Sequence, residues 1–372
     1  MKIVTIIGAR PQFIKAAQVR KILQERDHHE ILVHTGQHYD YLMSKVFFDE
    51  LLISEPDYNL EVGSASPAKQ MGAMMVKLEE VLALEKPDFA IVYGDTNSTL
   101  AAALTAVKGN FPVVHVEGGE RNFSADMQVV HPCSIPEETN RVITDHVSKA
   151  IFCASQRAVE NLKHEGITQN VFFSGDIMLE SFLQMSNIAQ QRSGILGTLK
   201  IKPGEFVLTT IHRAINTDDP HRLKSILIAL LSLNETVVFP VHPRTRKLIN
   251  SLGMNDEINR TKSLSLIEPV GYFDMLELER NSRLIITDSG GVTREAFFCN
   301  VPAIIVDETT AWIDLVLAGW STLTGSGTNK IIQAVQSAQR PLKKEPLLGD
   351  GNTSEFIVRR LEELFPGIDA NI

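Results

Sequence analysis

Short apolar runs rich in β-branched residues alternate with helical stretches along most of this chain. This alternation is typical of βαβ units, in which a parallel sheet carries helices on both faces. A second series of runs begins near Glu205. We therefore predict an α/β fold with two doubly wound domains. The predicted strands are residues 2–7, 30–35, 89–93, 113–117, 150–154 and 171–174 in the first series, with helices such as 68–84 and 100–108, and strands 206–211, 235–241, 264–267, 284–287 and 303–306 in the second.

The length of the chain also predicts two domains, because 372 residues exceed what one hydrophobic core usually serves. Residues 190–204 are polar and contain glycine, as an interdomain linker would. A hinge near Gly175 fits the pattern as well. The sequence leaves both places open for the junction.

Composition and charge exclude several kinds of partner. The net charge is −9 and the pI is ≈ 5.7, which argues against nucleic acid or an anionic membrane as the main partner. The apolar stretch 223–241 is broken by Asn234 and Glu235, and the N-terminus enters a strand without a signal peptide, so we expect no membrane insertion. The scattered cysteines predict neither a disulfide framework nor a zinc site and favour a reducing, cytoplasmic location. They are Cys133, Cys153 and Cys299.

The first βα unit contains a candidate anion site. Gly8 ends the first strand, and Pro11 falls in the first turn of the next helix, where proline is tolerated. Arg10 and Lys15 lie near the positive end of that helix, which attracts phosphate through unpaired N–H groups and the macrodipole. The spacing fits neither a dinucleotide fingerprint nor a P-loop. An ordinary βα unit with surface cations explains the same residues.

Polar loops follow the predicted strands in both series. In doubly wound sheets the functional groups gather at the carboxyl ends of the strands. We therefore expect the two sets of loops to line one cleft. The loops are Gly8-Ala9-Arg10, Thr35-Gly36-Gln37-His38, Gly94-Asp95-Thr96 and Glu117-Gly118-Gly119 in the first series, and His212-Arg213, His242-Pro243-Arg244 and Asp288-Ser289-Gly290-Gly291 in the second.

A series of segments occurs in the order found in one enzyme family. The segments are GARPQFIKAA, TGQHYD, YGDTNSTLAAAL, VHVEGGERNF, IPEETNRVITDHVS, TIHRAINTDD, VHPRTR and DSGGVTREA. With this series the chain resembles the non-hydrolysing UDP-N-acetylglucosamine 2-epimerases over nearly its whole length. GARPQFIKAA and MSKVFFDEL are most similar to the branch that includes UDP-2,3-diacetamido-glucuronic acid 2-epimerases.

The resemblance implies the architecture of the chain. It predicts two facing Rossmann-like domains of the glycosyltransferase B type. The N-terminal domain would span residues 1–174 and the nucleotide-binding C-terminal domain residues 175–353, with a C-terminal helix in 354–372 that returns to the first domain. The resemblance also implies a homodimer.

The resemblance further implies inversion at C2 of a UDP-acetamido sugar, a step toward surface polysaccharide precursors. The C2 hydrogen is not acidic, so the family eliminates UDP from C1 to give a 2-acetamidoglucal and then adds both back with the other configuration. This chemistry needs a base, an acid and a holder for the diphosphate. Asp95, Glu117 and Glu137 match the family's catalytic carboxylates, and His212 matches its active-site histidine. No nicotinamide or metal is needed.

The nucleotide site is also implied by the resemblance. Ser289, Gly290 and Gly291 match a phosphate-cradling loop, because glycines let N–H groups approach the diphosphate at the start of a helix. Glu295 matches the glutamate that holds the ribose hydroxyls. The uracil is expected against residues 269–275. The other residues assigned to the UDP-sugar are Arg10, Lys15, Arg213 and Met275, the last at a position where phenylalanine is common.

Each of these residues has an ordinary structural explanation. Asp95 could cap the next helix, and Glu137 could be a first-turn glutamate favoured by the helix dipole. His212 and Arg213 could be a loop pair, and the Ser289 loop a simple turn. Their joint occurrence at strand ends, in family order, favours the functional interpretation.

Several positions depart from the family pattern. A glutamate of the HRxEN motif is Ile215 here, and the arginine of a later R-D-x-T-E motif is Asp307, which reverses the local charge. We therefore expect UDP-N-acetylglucosamine to be a poor substrate and a neutral acetamido or deoxy sugar to be preferred over a uronate, which Asp307 would repel. The remaining departures are Ala311, Glu117-Gly118-Gly119-Glu120-Arg121 in place of Glu-Ala-Gly-Leu-Arg, and extra residues around 127–134.

Other functions stay open from the sequence. A hydrolysing 2-epimerase would release UDP and a free sugar, and a weakly catalytic protein would only bind nucleotide sugars. Retention of the three carboxylates and His212 argues against the second. A glycosyltransferase fits the fold, since fold does not fix function, but the ordered motifs disfavour it. The substituents at C3 to C6 of the sugar are not determined.

Overall fold

A computed structural model describes residues 1–37, 55–261 and 263–366, without the side chain of Arg10. His38 and the MSKVFFDEL segment lie outside the described residues. The chain forms two compact units: unit 1 comprises Met1–Arg121, His131–Ser181 and Pro346–Ile372, and unit 2 comprises Asn122–Val130 and Phe182–Glu345. The predicted domain limits at residues 174 and 353 stay predictions, because a compact unit is defined by contacts and a domain by an independent core.

Strands and helices alternate in both units. The strands are β1 (Lys2–Ile7), β2 (His29–His34), β3 (Tyr58–Asn59), β4 (Phe89–Tyr93), β5 (Val113–Val116), β6 (Phe123–Ser124), β7 (Ala150–Cys153), β8 (Val171–Phe173), β9 (Phe206–Thr210), β10 (Thr236–Pro240), β11 (Leu264–Ile267), β12 (Leu284–Thr287), β13 (Ala303–Ile305), β14 (Thr309–Thr310) and β15 (Ser321–Leu323). The helices are α1 (Arg10–Glu25), α2 (Pro67–Glu85), α3 (Asn97–Lys108), α4 (Pro136–Val147), α5 (Gln156–His164), α6 (Ile177–Arg192), α7 (Ile195–Leu199), α8 (Ala214–Thr217), α9 (Pro220–Leu231), α10 (Pro243–Ser251), α11 (Asn255–Arg260), α12 (Tyr272–Asn281), α13 (Gly290–Phe298), α14 (Ile313–Leu317), α15 (Thr328–Ser337) and α16 (Thr353–Leu364).

Unit 1 is built on a seven-stranded parallel sheet in the order β3-β2-β1-β4-β5-β7-β8. Successive residues of a strand point to opposite faces, and β1 is buried on both. Val4 and Ile6 pack with Met74 and Leu78 of α2 on one face. The C-terminal helix α16 packs against α1, where Arg26 forms an ion pair of 2.7 Å with Glu362.

Unit 2 is built on a six-stranded sheet in the order β11-β10-β9-β12-β13-β15, also parallel throughout. Residues 122–130 belong to this unit because β6 pairs antiparallel with β14. The segment is a tight hairpin, in which the Ser124 and Val130 N–H groups donate to the carbonyls of Gln128 and Asn122 at 3.0 and 2.8 Å. The extra residues around 127–134 therefore begin in this hairpin.

The strand order of each unit reverses next to its first strand. In unit 1 the neighbours at this point are β1 and β4, and in unit 2 they are β9 and β12. A crevice opens at the carboxyl ends of such strands, and ligands of doubly wound proteins bind there. The loops that follow these four strands begin at Gly8, Gly94, Ile211 and Asp288.

The strands and helices named in the sequence analysis are confirmed, with shifts of one or two residues at their ends apart from the start of helix 100–108, which begins three residues earlier at Asn97. The edge strands β3 and β15 were not predicted, because two or three residues give no usable periodicity. Residues 190–204, one of the two predicted places for the junction, complete α6 and form α7, and they lie inside unit 2. None of the helices in the described parts of the chain is both long and apolar enough to cross a membrane.

Gly8 has no space for a side chain. A β-carbon at this position would lie 2.0 Å from Ser98 Oγ and 2.3 Å from Thr35 Oγ1. These two hydroxyls are hydrogen bonded to each other at 2.8 Å, so they cannot both move away without losing that bond. Gly72, in contrast, lies inside α2, where an added β-carbon would meet no atom within 4 Å among the described residues.

We predict opposite effects for alanine at these two glycines. Gly8→Ala should destabilise the protein by roughly 1–3 kcal/mol through overpacking. Gly72→Ala should stabilise it by about 0.5–1 kcal/mol, because alanine loses less backbone entropy in a helix. Urea denaturation of both variants beside the wild type measures the difference. Equal midpoints for Gly8→Ala and wild type would contradict the packing described around Gly8.

Candidate functional site

Gln12 connects the loop after β1 to the loop after β4 through hydrogen bonds. Its Oε1 accepts from the N–H groups of Gly8 and Ala9 at 2.8 and 2.9 Å, and its Nε2 donates to the carbonyl of Tyr93 at 2.7 Å and to the hydroxyl of Thr99 at 2.9 Å. Since Gln12 already occupies both N–H groups, the start of α1 offers an anion fewer donors than the sequence predicts. Gln12 instead fixes the spacing between the two loops.

Asp95 follows β4 and is held from α4. Its carboxylate accepts from Arg141, which also donates to Glu138, and its backbone carbonyl accepts from Asn140 Nδ2 at 3.0 Å. Burial alone lowers the pKa of the Arg141 guanidinium, but the nearby carboxylates of Asp95 and Glu138 outweigh burial and raise it. Arg141 is therefore a permanent cation beside Asp95, whose side chain stays one-third exposed at 33%.

Asp95 does not cap helix α3 in the structure. The N-cap of α3 is Thr96, whose hydroxyl accepts from the Thr99 N–H at 3.2 Å. Asp95 lies one residue before that cap. The capping explanation is therefore wrong, and the Asp95 carboxylate is instead bonded to Arg141.

Glu117 follows β5 in a left-handed backbone conformation, with φ of 64°. Such a conformation is rare for a residue other than glycine and often occurs at functional sites. Its carboxylate forms an ion pair of 2.6 Å with Lys15 of α1, and the exposed fractions of the two side chains are 12% and 5%. The structure thus pairs Lys15 with Glu117, a candidate catalytic residue, whereas the sequence analysis assigned Lys15 to the nucleotide.

Glu137 lies half-buried in the first turn of α4, directly after Pro136. The helix dipole favours a carboxylate at this place whatever its function. Glu137, Arg141 and Asp145 follow one another at a spacing of four residues, so they share one face of the helix. Arg141 and Asp145 contact the loops after β4 and β5, and Glu137 lies on the same side.

Asp145 anchors the loop after β5 from the other end of α4. It is fully buried and accepts from the Gly119 N–H at 3.1 Å and from Arg121 Nη1 at 2.8 Å, with His115 Nδ1 at 2.7 Å. Burial opposes its ionisation, but His115 and Arg121 outweigh burial, so the pKa of Asp145 is lowered. A buried, ionised aspartate therefore supports the turn that carries Glu117.

In unit 2 the buried carboxylate of Asp288 has the corresponding role. It accepts from the backbone N–H groups of His212 and Arg213 at 3.1 and 3.0 Å and from Asn216 Nδ2 at 3.1 Å. His212 Nδ1 lies 3.7 Å from Asp288 Oδ1, and its side chain is 44% exposed. The turn after β9 is thus wrapped around Asp288, and the His212 ring extends from it to the surface of the unit.

The start of α13 is suited to bind an anion. Ser289 is the N-cap, and its hydroxyl accepts from the Val292 N–H at 3.4 Å. Gly290 and Gly291 form the first turn, where N–H groups of a helix have no intrahelical acceptor. The cap, the glycines and the dipole together provide donors for a phosphate group.

Glu295 lies one turn further along α13 and is buried. The Tyr272 hydroxyl lies 3.4 Å from its Oε1. Glu279 of α12 is nearby, and burial, followed by the charge of Glu295, raises its pKa well above the ordinary value. Met275 of α12 packs against the apolar cluster that contains Leu278. Tyr272 and Glu279 of α12 thus lie beside Glu295 of α13.

Asp307 does not present an unmatched charge. Its buried side chain forms an ion pair of 3.1 Å with Arg213, and the neighbouring Glu308 binds Arg222 through two bonds of 2.8 Å. The expected repulsion of a uronate by Asp307 therefore loses its basis, because Arg213 offsets the charge. Ile215 is 45% exposed on α8. A cavity of ≈ 480 Å³ beside this pair is lined by Ala125, Asp307, Glu308 and residues 323–330.

Several residues that hold the site were missed in the sequence. The segment with Asn140, Arg141 and Asp145 has the pattern of an ordinary amphipathic helix. Its spacing from Glu137 could still have indicated that these residues share a side of the helix with that carboxylate. Asn216 and Asp288 were visible inside motifs, but which side chain accepts and which donates depends on the fold. Within the described residues, no group of three or more His, Cys, Asp or Glu is arranged to hold a metal ion.

The fold, the carboxylates of unit 1 and the helix start at Ser289 in unit 2 together define a doubly wound enzyme of nucleotide-sugar chemistry. The sequence model described as UDP-N-acetylglucosamine 2-epimerase matches residues 20–362. The chain therefore belongs to the UDP-N-acetylglucosamine 2-epimerase family.

Individual relatives support this assignment. The chain is 46% identical to a UDP-N-acetylglucosamine 2-epimerase homolog of Methanococcus maripaludis, covering 98% of this chain and 100% of the relative. It is 42% identical to the UDP-2,3-diacetamido-2,3-dideoxy-D-glucuronate 2-epimerase of Pseudomonas aeruginosa, with the same coverage of 98% and 100%. A crystal structure of the Methanocaldococcus jannaschii UDP-GlcNAc 2-epimerase in complex with UDP-GlcNAc and UDP is 37% identical, with a TM-score of 0.87 over 98% of this chain and 100% of that one.

We predict that Asp145→Asn destabilises the protein at neutral pH by about 3–5 kcal/mol, because it breaks a buried ion pair. The lowered pKa of Asp145 means that its contribution is complete above the ordinary aspartate pKa of about 3.9 and is lost as the pH falls through the folded-state value. The gap between variant and wild type should therefore shrink below about pH 4. Urea denaturation at pH 7 and pH 3 measures it.

The control is Asp27→Asn, at an exposed position with φ of 56°, a conformation that asparagine tolerates. It should match the wild type at both pH values. A gap for Asp145→Asn that is unchanged at pH 3 would show that folding does not lower the pKa of Asp145.

Proposed function

We propose that the protein epimerises a UDP-acetamido sugar at C2. The observation that carries the proposal is the grouping of Asp95, Glu117 and Glu137 around one helix and two strand ends in unit 1. Two of these carboxylates are each bonded to a cation, Arg141 for Asp95 and Lys15 for Glu117. Membership in the epimerase family supports the reaction class.

The reaction that we propose has two halves that balance. A carboxylate takes the proton from C2 while the C1–O bond breaks, so the electron pair of the C2–H bond forms the C1=C2 bond of a 2-acetamidoglucal and UDP leaves with its oxygen. In the reverse half, UDP oxygen attacks C1 and a proton is delivered to the other face of C2. The two faces require two proton-transfer groups, which three carboxylates can supply.

Unit 2 would bind the nucleotide. The N–H groups of Gly290 and Gly291, with the cap Ser289, suit the diphosphate. Glu295 would accept from the ribose hydroxyls, and Met275 would lie beside the uracil. Arg213 and His212 extend from the Asp288-bound turn as further candidates for the leaving phosphate. Arg10 and Lys15 of unit 1 stay part of the proposal as UDP-sugar contacts, and Lys15 also forms an ion pair with Glu117.

The substrate stays within the acetamido class. Relatives are named for UDP-N-acetylglucosamine and for UDP-2,3-diacetamido-2,3-dideoxy-D-glucuronate. The Arg213–Asp307 pair removes the charge argument against the second of these. Assembly as a homodimer is part of the proposal and rests on the family resemblance.

We predict that C2 acquires deuterium from solvent during turnover. A carboxylate that has taken the C2 proton exchanges it with water before a proton returns from the other face. Proton NMR of the purified protein with each of the two named UDP-sugars in deuterated water detects the loss of the C2 signal together with formation of the epimer. The same spectra reveal a free sugar if the enzyme hydrolyses its substrate.

Two outcomes would count against the proposal. An epimer that keeps its original C2 hydrogen would exclude proton transfer through a carboxylate. If calorimetry shows that the protein binds UDP, but neither sugar gives an epimer or C2 exchange, the result would favour the alternative of a nucleotide-sugar-binding protein.

We predict that Asp95→Asn, Glu117→Gln and Glu137→Gln each lower kcat by about two or more orders of magnitude, the usual contribution of a general acid or base. The amides keep the size of the side chains and remove proton transfer. Glu80→Gln on the exposed surface of α2 is the matched control and should leave kcat unchanged. Steady-state kinetics measures all four, and a wild-type kcat for any of the three would return that residue to a structural role.

A further inference from the structure

His115 is a fully buried histidine of β5 with a partner at each ring nitrogen. Its Nε2 lies 2.7 Å from the carbonyl oxygen of Gly94, and its Nδ1 lies 2.7 Å from Asp145 Oδ1. The exposed fraction of the side chain is 0%. The ring therefore bridges the loop after β4 to helix α4, from inside the sheet.

Both partners can only accept hydrogen bonds. A backbone carbonyl has no proton to give. The Asp145 carboxylate accepts in addition from the Gly119 N–H at 3.2 Å through Oδ1 and from Arg121 at 2.8 Å through Oδ2, so it acts as an acceptor on both oxygens. A neutral imidazole has one N–H and one bare lone pair. Either neutral tautomer would place that lone pair against an oxygen lone pair at 2.7 Å.

We infer that His115 is held as a doubly protonated imidazolium, and that this buried cation positions the loops that carry Asp95 and Glu117. The inference concerns a positioning residue and rests on the proposed function of those two carboxylates. His115 itself is buried and touches no substrate.

Each of the two cations beside Asp145 has a carboxylate partner in this arrangement. Arg121 is bound through two bonds of 2.6 and 2.8 Å by Glu165, which offsets its charge. Asp145 is then left to offset His115. From β7, Cys153 faces the same pocket, and burial raises the pKa of its thiol well above the ordinary value, so it contributes no charge. A buried pair with its hydrogen bonds satisfied is tolerated, whereas one partner alone is costly.

Both loops depend on this ion pair. Gly94, whose carbonyl binds His115, is the residue before Asp95. On the other side, a β-carbon at Gly118 would lie 2.5 Å from Asp145 Oδ1 and 2.7 Å from His115 Nδ1, so the pair packs directly behind the turn of Glu117. The strained φ of 64° at Glu117 and the φ of 80° at Gly119 are maintained against this surface.

The protonation state can be measured directly. We would label histidine with ¹⁵N in the wild-type protein and record two-bond proton–nitrogen correlations of the rings at neutral pH. The His115 signals are assigned as those that His115→Gln lacks. We expect both ring nitrogens of His115 at protonated shifts. A single protonated nitrogen would overturn the inference, whether or not the protein epimerises any sugar.

The positioning role has its own readout. Glutamine can bond only one of the two acceptors with its amide group, so His115→Gln should lower kcat by about 10- to 100-fold, as for a small misplacement of catalytic groups. The KM and the UDP affinity should change little, because the buried His115 ring bonds Gly94 and Asp145, neither of which is assigned to the nucleotide. His146→Gln, an exposed neighbour of Asp145 on α4, is the control and should keep the wild-type kcat.

The possible outcomes distinguish failure of the His115 inference from failure of the proposed function. Protonated nitrogens with an unchanged kcat in folded His115→Gln would overturn the positioning role and leave the proposed function intact. If His115→Gln does not fold, His115→Asn supplies the assignment and the kcat. If no substrate turns over, the proposed function fails, and the ring nitrogen shifts still decide the charge of His115.

Discussion

One face of helix α4 organises the candidate chemistry of unit 1. Glu137, Arg141 and Asp145 follow at four-residue spacing, which places them on the same side of the helix. Arg141 binds the side chain of Asp95, and Asp145 binds the turn of Glu117 through the Gly119 N–H. A single rigid element therefore sets the positions of three carboxylates, which is more precise than three independent loops could be.

The two units use the same physical device at their strand ends. A buried aspartate accepts hydrogen bonds from the backbone of an adjacent loop, Asp145 in unit 1 and Asp288 in unit 2. Each carboxylate is tolerated in the interior only because several donors converge on it. Each anchored loop thereby gains a fixed backbone conformation, which includes the backbone of Glu117 in unit 1 and of His212 in unit 2.

The departures from the family pattern are compensated locally. Asp307 pairs with Arg213, and Glu308 of the same segment pairs with Arg222, so the reversed charge is balanced within unit 2. The strand β14, directly after them, pairs with the hairpin strand β6. Asp307 thus lines a cavity of unit 2 together with Ala125 of the hairpin in which the extra residues begin.

The sequence by itself determined the α/β class, the two parallel sheets and the strand ends at which Asp95, Glu117, His212 and Ser289 occur, because apolar periodicity and turn residues are local properties of a chain. It could not decide which charges meet. The sequence analysis assigned Lys15 to the nucleotide, and in the structure Lys15 pairs with Glu117. It allowed Asp95 as a helix cap, whereas Asp95 is bonded to Arg141. It treated Asp307 as an isolated anion, whereas Asp307 pairs with Arg213. Ion pairs and the protonation of His115 depend on distances between residues far apart in the chain, and only the tertiary structure fixes those distances.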